Sequence, residues 1–169
     1  MNASGFTLVG TKSLRRALEG LKARDMAALR RGLIAAGLFL EGAATRKITN
    51  TIYAVPEPKN KPRKRTGNLR ASRFTTWEGH SVPTPAFHAD KGNNTPSDFN
   101  KAVHAAQRLV RQSNAGEFFV LVGYGASYAL YMHEGTRVSE GFKWLQDAAT
   151  ENVYNIRGIV RREFAGGAA

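Results

Sequence analysis

Histidine is the side chain best suited to metal ligation or proton transfer near neutral pH, and this chain carries four: His80, His88, His104 and His133. His133 precedes Glu134, the start of an H-E-x-x-H zinc motif. That motif needs a second histidine four residues on, where this chain has Arg137, and Gly135 interrupts the helix it requires. His80 and His88 lie in a proline-rich stretch at a spacing that no ligand pattern uses. Cysteine is absent, so thiolate metal sites, disulfides and a cysteine nucleophile are excluded. "GYGAS", residues 123–127, resembles a phosphate loop but lacks the lysine of G-x-x-x-x-G-K-[ST]. No G-x-S-x-G elbow occurs, and the carboxylates are too scattered to form an acid/base pair. The expectation is a protein with no catalytic residues, no metal and no cofactor.

Charge is the feature left over. The 169 residues hold 25 Lys plus Arg against 13 Asp plus Glu, a formal net charge of +12, which favours polyanionic partners or acidic protein surfaces. Lys59, Lys61, Arg63, Lys64 and Arg65 form a basic run that continues to Arg70 and Arg73, with no acid between residues 59 and 73. Several phosphates could be neutralised there. No aromatic residue lies within 56–73 for base stacking, and no helix-turn-helix recognition helix accompanies the run. Any DNA contact would therefore be sequence-independent, and an acidic protein neighbour fits the same charge.

The elements that position these residues follow from pattern. A chain of this length buries roughly 70% of its unfolded surface as one domain, and the hydrophobic share of 42% suffices for a core. No secretory signal is visible, and the most apolar run, "GLIAAGLFL" at 32–40, is far short of the ~20 residues that span a bilayer. A soluble protein with no membrane partner is expected. Ser13 can cap a short helix bearing Leu14, Leu18 and Leu21. Asp25 can cap a longer one to about Thr49, with Met26, Leu29, Leu33, Ala36, Leu40 and Ala44 on one face. Gly32, Gly37 and Gly42 cost that helix roughly 1 kcal/mol each against alanine, which implies close backbone packing.

Prolines 56, 58 and 62 make residues 55–68 an extended arm. "LRASRFTTWE", 69–78, alternates as a strand does. A long loop fills about 79–96, then Ser97 caps a helix with Phe99, Val103, Ala106 and Val110 on one face, ended by Asn114 and Gly116. Residues 117–125 read as a strand and 127–136 as extended or tightly bent. Residues 142–164 read as a closing helix through Phe142, Leu145, Ala149, Val153, Ile156 and Val160, before a fraying "AGGAA" end. The fold class is α+β: one domain over 1–169, an antiparallel sheet packed by a long N-terminal, a middle and a C-terminal helix.

Two stretches combine at this point. Pro62 precedes "RTGNLRAS", 65–72, and "YALYMHEGT", 128–136, precedes "FKWLQDAATEN", 142–152. With an amphipathic helix ahead of them, their order and spacing resemble the tail-component family of long-tailed bacteriophages, encoded among the head–tail joining genes. The resemblance covers most of the chain, with 79–115 as an insertion or enlarged middle section. It implies a virion protein of the neck or upper tail, made in the host cytoplasm. Such a protein is a ring-forming neck or tail-completion subunit, hexameric by the six-fold symmetry of tails, with neighbouring neck and tail proteins as partners. A tail terminator, or a sequence-independent nucleic-acid-binding protein touching channel DNA, are the alternatives. The family has no catalytic residues to carry over. Its structural positions match Thr66, Gly67, Leu69, Arg70 and Ser72, and Tyr128, Ala129, Tyr131, His133, Glu134, Gly135 and Thr136. Gly67 is expected to hold a special backbone conformation where the arm meets a strand. Leu69 should anchor that strand, and Gly135–Thr136 should form a tight turn.

Overall fold

A computed structural model describes residues 6–7, 23–54, 67–87, 96–112, 117–137 and 139–166. The helix expected around Ser13, the body of the arm, residues 88–95 of the long loop, the Asn114–Gly116 stop and the last three residues lie outside these. The described chain runs β1 (Phe6–Thr7), α1 (Ala23–Ile48), α2 (Asn68–Ala71), β2 (Arg73–Trp77), α3 (Pro96–Arg111), β3 (Val120–Tyr124), α4 (Ala129–Glu134), β4 (Gly135–Thr136), β5 (Ser139–Glu140), α5 (Trp144–Glu151) and α6 (Val153–Gly166). Helix and strand mix as the α+β class requires.

The main sheet is antiparallel in the order β1-β3-β2. Arg73 pairs with Tyr124 and Trp77 with Val120, and Phe6 pairs with Val122 on the other edge. Period-2 alternation divides the side chains of β2 and β3 between two helical layers. Phe74 and Leu121 face α3, where they bury Phe99, Val103, Ala106 and Val110. Val122 and Tyr124 face α1, α5 and α6, in the larger core with Leu40, Ala44, Ile48, Trp144, Ala148 and Ile156.

Helix α1 forms as its apolar spacing predicts, and its glycines explain how closely it packs. A Cβ on Gly37 would collide with Val120 Cγ1 and lie 3.2 Å from Thr75 Cγ2, so the helix rests directly on the sheet. A Cβ on Gly32 would lie 3.0 Å from Val160 Cα, which brings α6 against α1. Gly42 has no such reason: its nearest neighbour would be Arg46 Nη1 at 3.6 Å. Asp25 does not cap α1. It sits inside the first turn, where its carboxylate favours the positive end of the helix dipole. The last turn widens into a π-helical turn over Thr49–Tyr53.

Several sequence expectations change. Residues 68–71 are a helical turn and not the start of a strand. Local hydrogen bonds decide it: Ala71 N–H donates to the Gly67 carbonyl at 2.9 Å and Ser72 N–H to that of Asn68 at 2.9 Å. Leu69 therefore anchors α2, and the strand begins only at Arg73. The strand expected over 117–125 is confined to Val120–Tyr124. Residues 129–134 are helical, not extended, since Ala, Leu, Met and Glu are strong helix formers. Ser97 lies within α3, which Pro96 opens, the first helical position that tolerates a missing N–H. The closing helix is two. Asn152 gives its side-chain N–H to the Ala148 carbonyl at 2.9 Å, competing with the backbone ladder, and Phe142 lies before the first helix rather than in it. The described part of the long loop is pinned: Phe87 packs 5.7 Å from the Phe99 ring, and the Thr84 hydroxyl donates to Asn100 Oδ1 at 2.8 Å.

Candidate functional site

The two motif stretches meet on the larger core. Gly67 takes φ +78°, the left-handed conformation that glycine adopts without strain, and launches α2. Asn68, Leu69 and Ser72 become fully buried. Ser72 then ties three segments: its hydroxyl donates to the Leu69 carbonyl at 2.8 Å, and its own carbonyl accepts the Gly125 N–H at 2.8 Å. That second bond joins the first motif to the end of β3, just ahead of the second motif. Leu69 and Ala129 enter one apolar cluster with Tyr128 packed against it. Arg70 stays exposed, its guanidinium 5.2 Å over the Tyr53 ring, a cation–π contact that holds the end of α1.

The second motif forms a compact frame. Helix α4 stops at Gly135, whose φ of +91° with ψ of −174° is open essentially only to glycine. Thr136 lies in β4, paired with Ser139, and so in a short strand, not a tight turn. The chain returns beside α4: Phe142 N–H donates to the Met132 carbonyl at 3.0 Å and Lys143 N–H to that of His133 at 3.1 Å. This approach is open only because residue 141 is glycine; a Cβ there would overlap the His133 carbonyl. Lys143, in the left-handed region at φ +47°, bonds Glu134 Oε2 at 2.6 Å and accepts the Asp147 N–H at 2.9 Å, turning the chain into α5.

Electrostatics explain what His133 and Glu134 do here. The His133 ring meets buried Trp144 edge-on at 4.8 Å. Burial lowers its pKa below the ordinary value, against the Glu134 charge, which raises it. Glu134 is held below the usual carboxylate range by the Lys143 hydrogen bond. Its Oε1 is 3.6 Å from His133 Nε2. Among the described residues, no group of three or more His, Cys, Asp or Glu could hold a metal ion. The frame instead presents apolar surface: Leu130 is 38% exposed, Tyr131 63% and Phe142 42%.

A second polar knot fixes β2 to α1. Glu41 accepts Thr75 Oγ1–H at 2.6 Å and Arg73 Nε–H at 3.1 Å. Burial holds the Tyr124 hydroxyl, 3.2 Å from Thr45 Oγ1, well above its ordinary pKa.

The structure thus brings together Gly67, Leu69, Ser72, Tyr128 and Ala129 in one junction. His133, Glu134 and Gly135 stand in the adjoining frame. Tyr131 and Thr136 face solvent. Thr66 and the arm cations Lys59, Lys61, Arg63, Lys64 and Arg65 lie outside the described residues. Sequence reasoning missed Gly141, Lys143, Trp144 and Glu41, since each matters through a partner in another element. Among the described residues no helix is long and apolar enough to cross a membrane. Comparisons with protein-family models, curated proteins and solved structures find no match to the chain.

Proposed function

We propose that this chain is a structural protein of a long-tailed bacteriophage virion, a ring-forming neck or tail-completion subunit at the head–tail junction, without catalytic activity. The motif order supports the reading. The observation that carries it is the junction itself: the two motif stretches share one core through the Ser72–Gly125 bond and hold Leu130, Tyr131 and Phe142 in solvent on a braced frame. Exposed aromatic and aliphatic anchors on rigid backbone suit contacts between subunits. The partners would be further copies in a six-membered ring and the adjoining neck and tail proteins.

The test is to delete the gene from its phage and inspect the lysate by electron microscopy. Filled heads beside unattached tails of normal length are the expected result. Tails of uncontrolled length would move the assignment to a terminator, and intact infectious particles would reject a virion-assembly role.

A further inference from the structure

Helix α3 is amphipathic, with Phe99, Val103, Ala106 and Val110 buried against the sheet. The opposite side carries Lys101, His104, Arg108 and Arg111, all exposed, at spacings of three, four and three. At 100° per residue these positions fall on one outward ridge. With 1.5 Å of rise per residue the ridge spans about 15 Å. Lys101 has a loose pair, 3.9 Å from Asp98. Arg108 and Arg111 make no ion pair among the described residues. At its end Arg111 borders an open cleft with Trp77, Glu78, His80 and Gln107. The fold does not require this charge, because the ridge is the face of α3 turned away from both cores.

We propose that the α3 ridge is a sequence-independent contact surface for the phosphate backbone of duplex DNA. Three observations favour phosphates over an acidic protein. The cations stand in a line, as the phosphates of one strand do. Two of the three permanent charges are arginines, whose planar fork bonds phosphate oxygens two at a time. The ridge itself carries no Phe, Tyr or Trp to act as the desolvated anchor of a protein interface; the Trp77 ring in the cleft at its end is stacked on His80 at 3.7 Å, and Leu109, half exposed, stands to its side. Single strands are the poorer fit for the same lack of stacking rings. The proposal does not rest on the phage reading, since it concerns binding by the purified protein.

Helix α6 supplies a charge-matched control. Arg157, Arg161 and Arg162 are exposed there, on the far side of the sheet from α3. Binding of a 20-base-pair duplex of mixed sequence is measured at several salt concentrations. The variants are Lys101→Gln/Arg108→Gln/Arg111→Gln and Arg157→Gln/Arg161→Gln/Arg162→Gln, with folding checked by circular dichroism. The ridge variant is expected to lose at least about tenfold in affinity at 0.1 M salt. Its slope of log K against log salt should shrink by about 2 to 3, one unit per phosphate contact. The α6 variant should keep most of the slope, and Arg108→Lys/Arg111→Lys, which keeps the charge, should keep nearly all of it. Should the triple ridge variant fail to fold, Arg108→Gln alone should lower the slope by about one. Equal losses from both triple variants would reduce the effect to net charge and overturn the proposal. So would an unchanged ridge variant, a parent that does not bind the duplex, or poly-glutamate that binds as tightly as DNA.

Discussion

Among the described residues, α1, α5 and α6 on one face of the sheet enclose a core of fourteen buried residues around Trp144 and Leu40. On the other, α3 packs over six around Phe99, with Val82 and Phe87 of the loop beside it. Motif residues Leu69 and Ala129 enter the first core, whereas the second holds none of the described motif residues. The first core is assembled from many chain segments, so each contact depends on several others. The second is one helix laid on two strands, with the beginning of the long loop tucked beside it. Rigidity of the fold would come mainly from the first. The second provides a platform whose outer side is not constrained by the fold.

That contrast can be broken by emptying each core in turn. Trp144→Ala and Phe99→Ala each remove a large, fully buried ring and should cost about 3–5 kcal/mol. Their reach should differ. Trp144 touches Tyr124 at 5.9 Å and His133 at 4.8 Å, so its loss should lower hydrogen-exchange protection across α1, β3 and α5. Loss of Phe99 should lower protection mainly in α3 and in residues 82–87. Matching protection maps for the two variants would show that the two faces act as one unit.

A smaller effect tests the frame attached to the first core. Gly135→Val places a β-branched residue at φ +91° and should cost about 1–3 kcal/mol. Arg137→Ala, an exposed change, should stay within about 0.5 kcal/mol. If both variants melt with the parent, the end of α4 does not depend on that conformation.

Gly158 probes the outside of the first face. It lies in the exposed side of α6, and a Cβ there would meet nothing within 4 Å. Gly158→Ala should therefore stabilise the chain by about 0.5–1 kcal/mol, read as a higher urea midpoint at unchanged m value. A lower midpoint would mean that α6 is strained at this position.

The two faces were also unequally legible in the sequence. The α3 side was readable, because a single amphipathic helix declares its buried face by periodicity: Phe99, Val103, Ala106 and Val110 are all buried as expected. Its ridge of cations is not legible as a cluster, since Lys101, His104, Arg108 and Arg111 are spaced three or four residues apart, whereas the run before Thr66 is dense. On the other side, α1 and the close packing at Gly32 and Gly37 were readable, though Gly42 is not packed, and so was the special conformation of Gly67. The α2 turn reads as a strand and α4 as extended or tightly bent, because short segments with alternating apolar residues satisfy strand and helix patterns alike. What decided them, the Ser72–Gly125 bond and the approach of Gly141 to the His133 carbonyl, are contacts between elements that local pattern does not show.

The smallest expected effect is a pH dependence confined to the first face. His133 lies half-buried beside Trp144, and burial holds its folded pKa below the ordinary value near 6.5, outweighing the pull of Glu134 and Asp147 and aided by Lys143. The sign follows from linkage. The unfolded chain takes up a proton as pH falls through about 6.5, while the folded chain still refuses it, so stability is full above that pH. It declines below, and levels off once pH reaches the folded pKa. Glu134 acts in a lower window: its folded pKa is depressed by Lys143, so its contribution is present above the ordinary carboxylate value and is lost only in more acid solution. Between pH 7.5 and 5.5 the two separate. The parent should lose more melting temperature over that interval than His133→Gln, and Glu134→Gln, which removes the charge that raises the His133 pKa, should lose at least as much as the parent. Parallel decline of the parent and His133→Gln would show that the ring beside Trp144 is not held neutral by the fold.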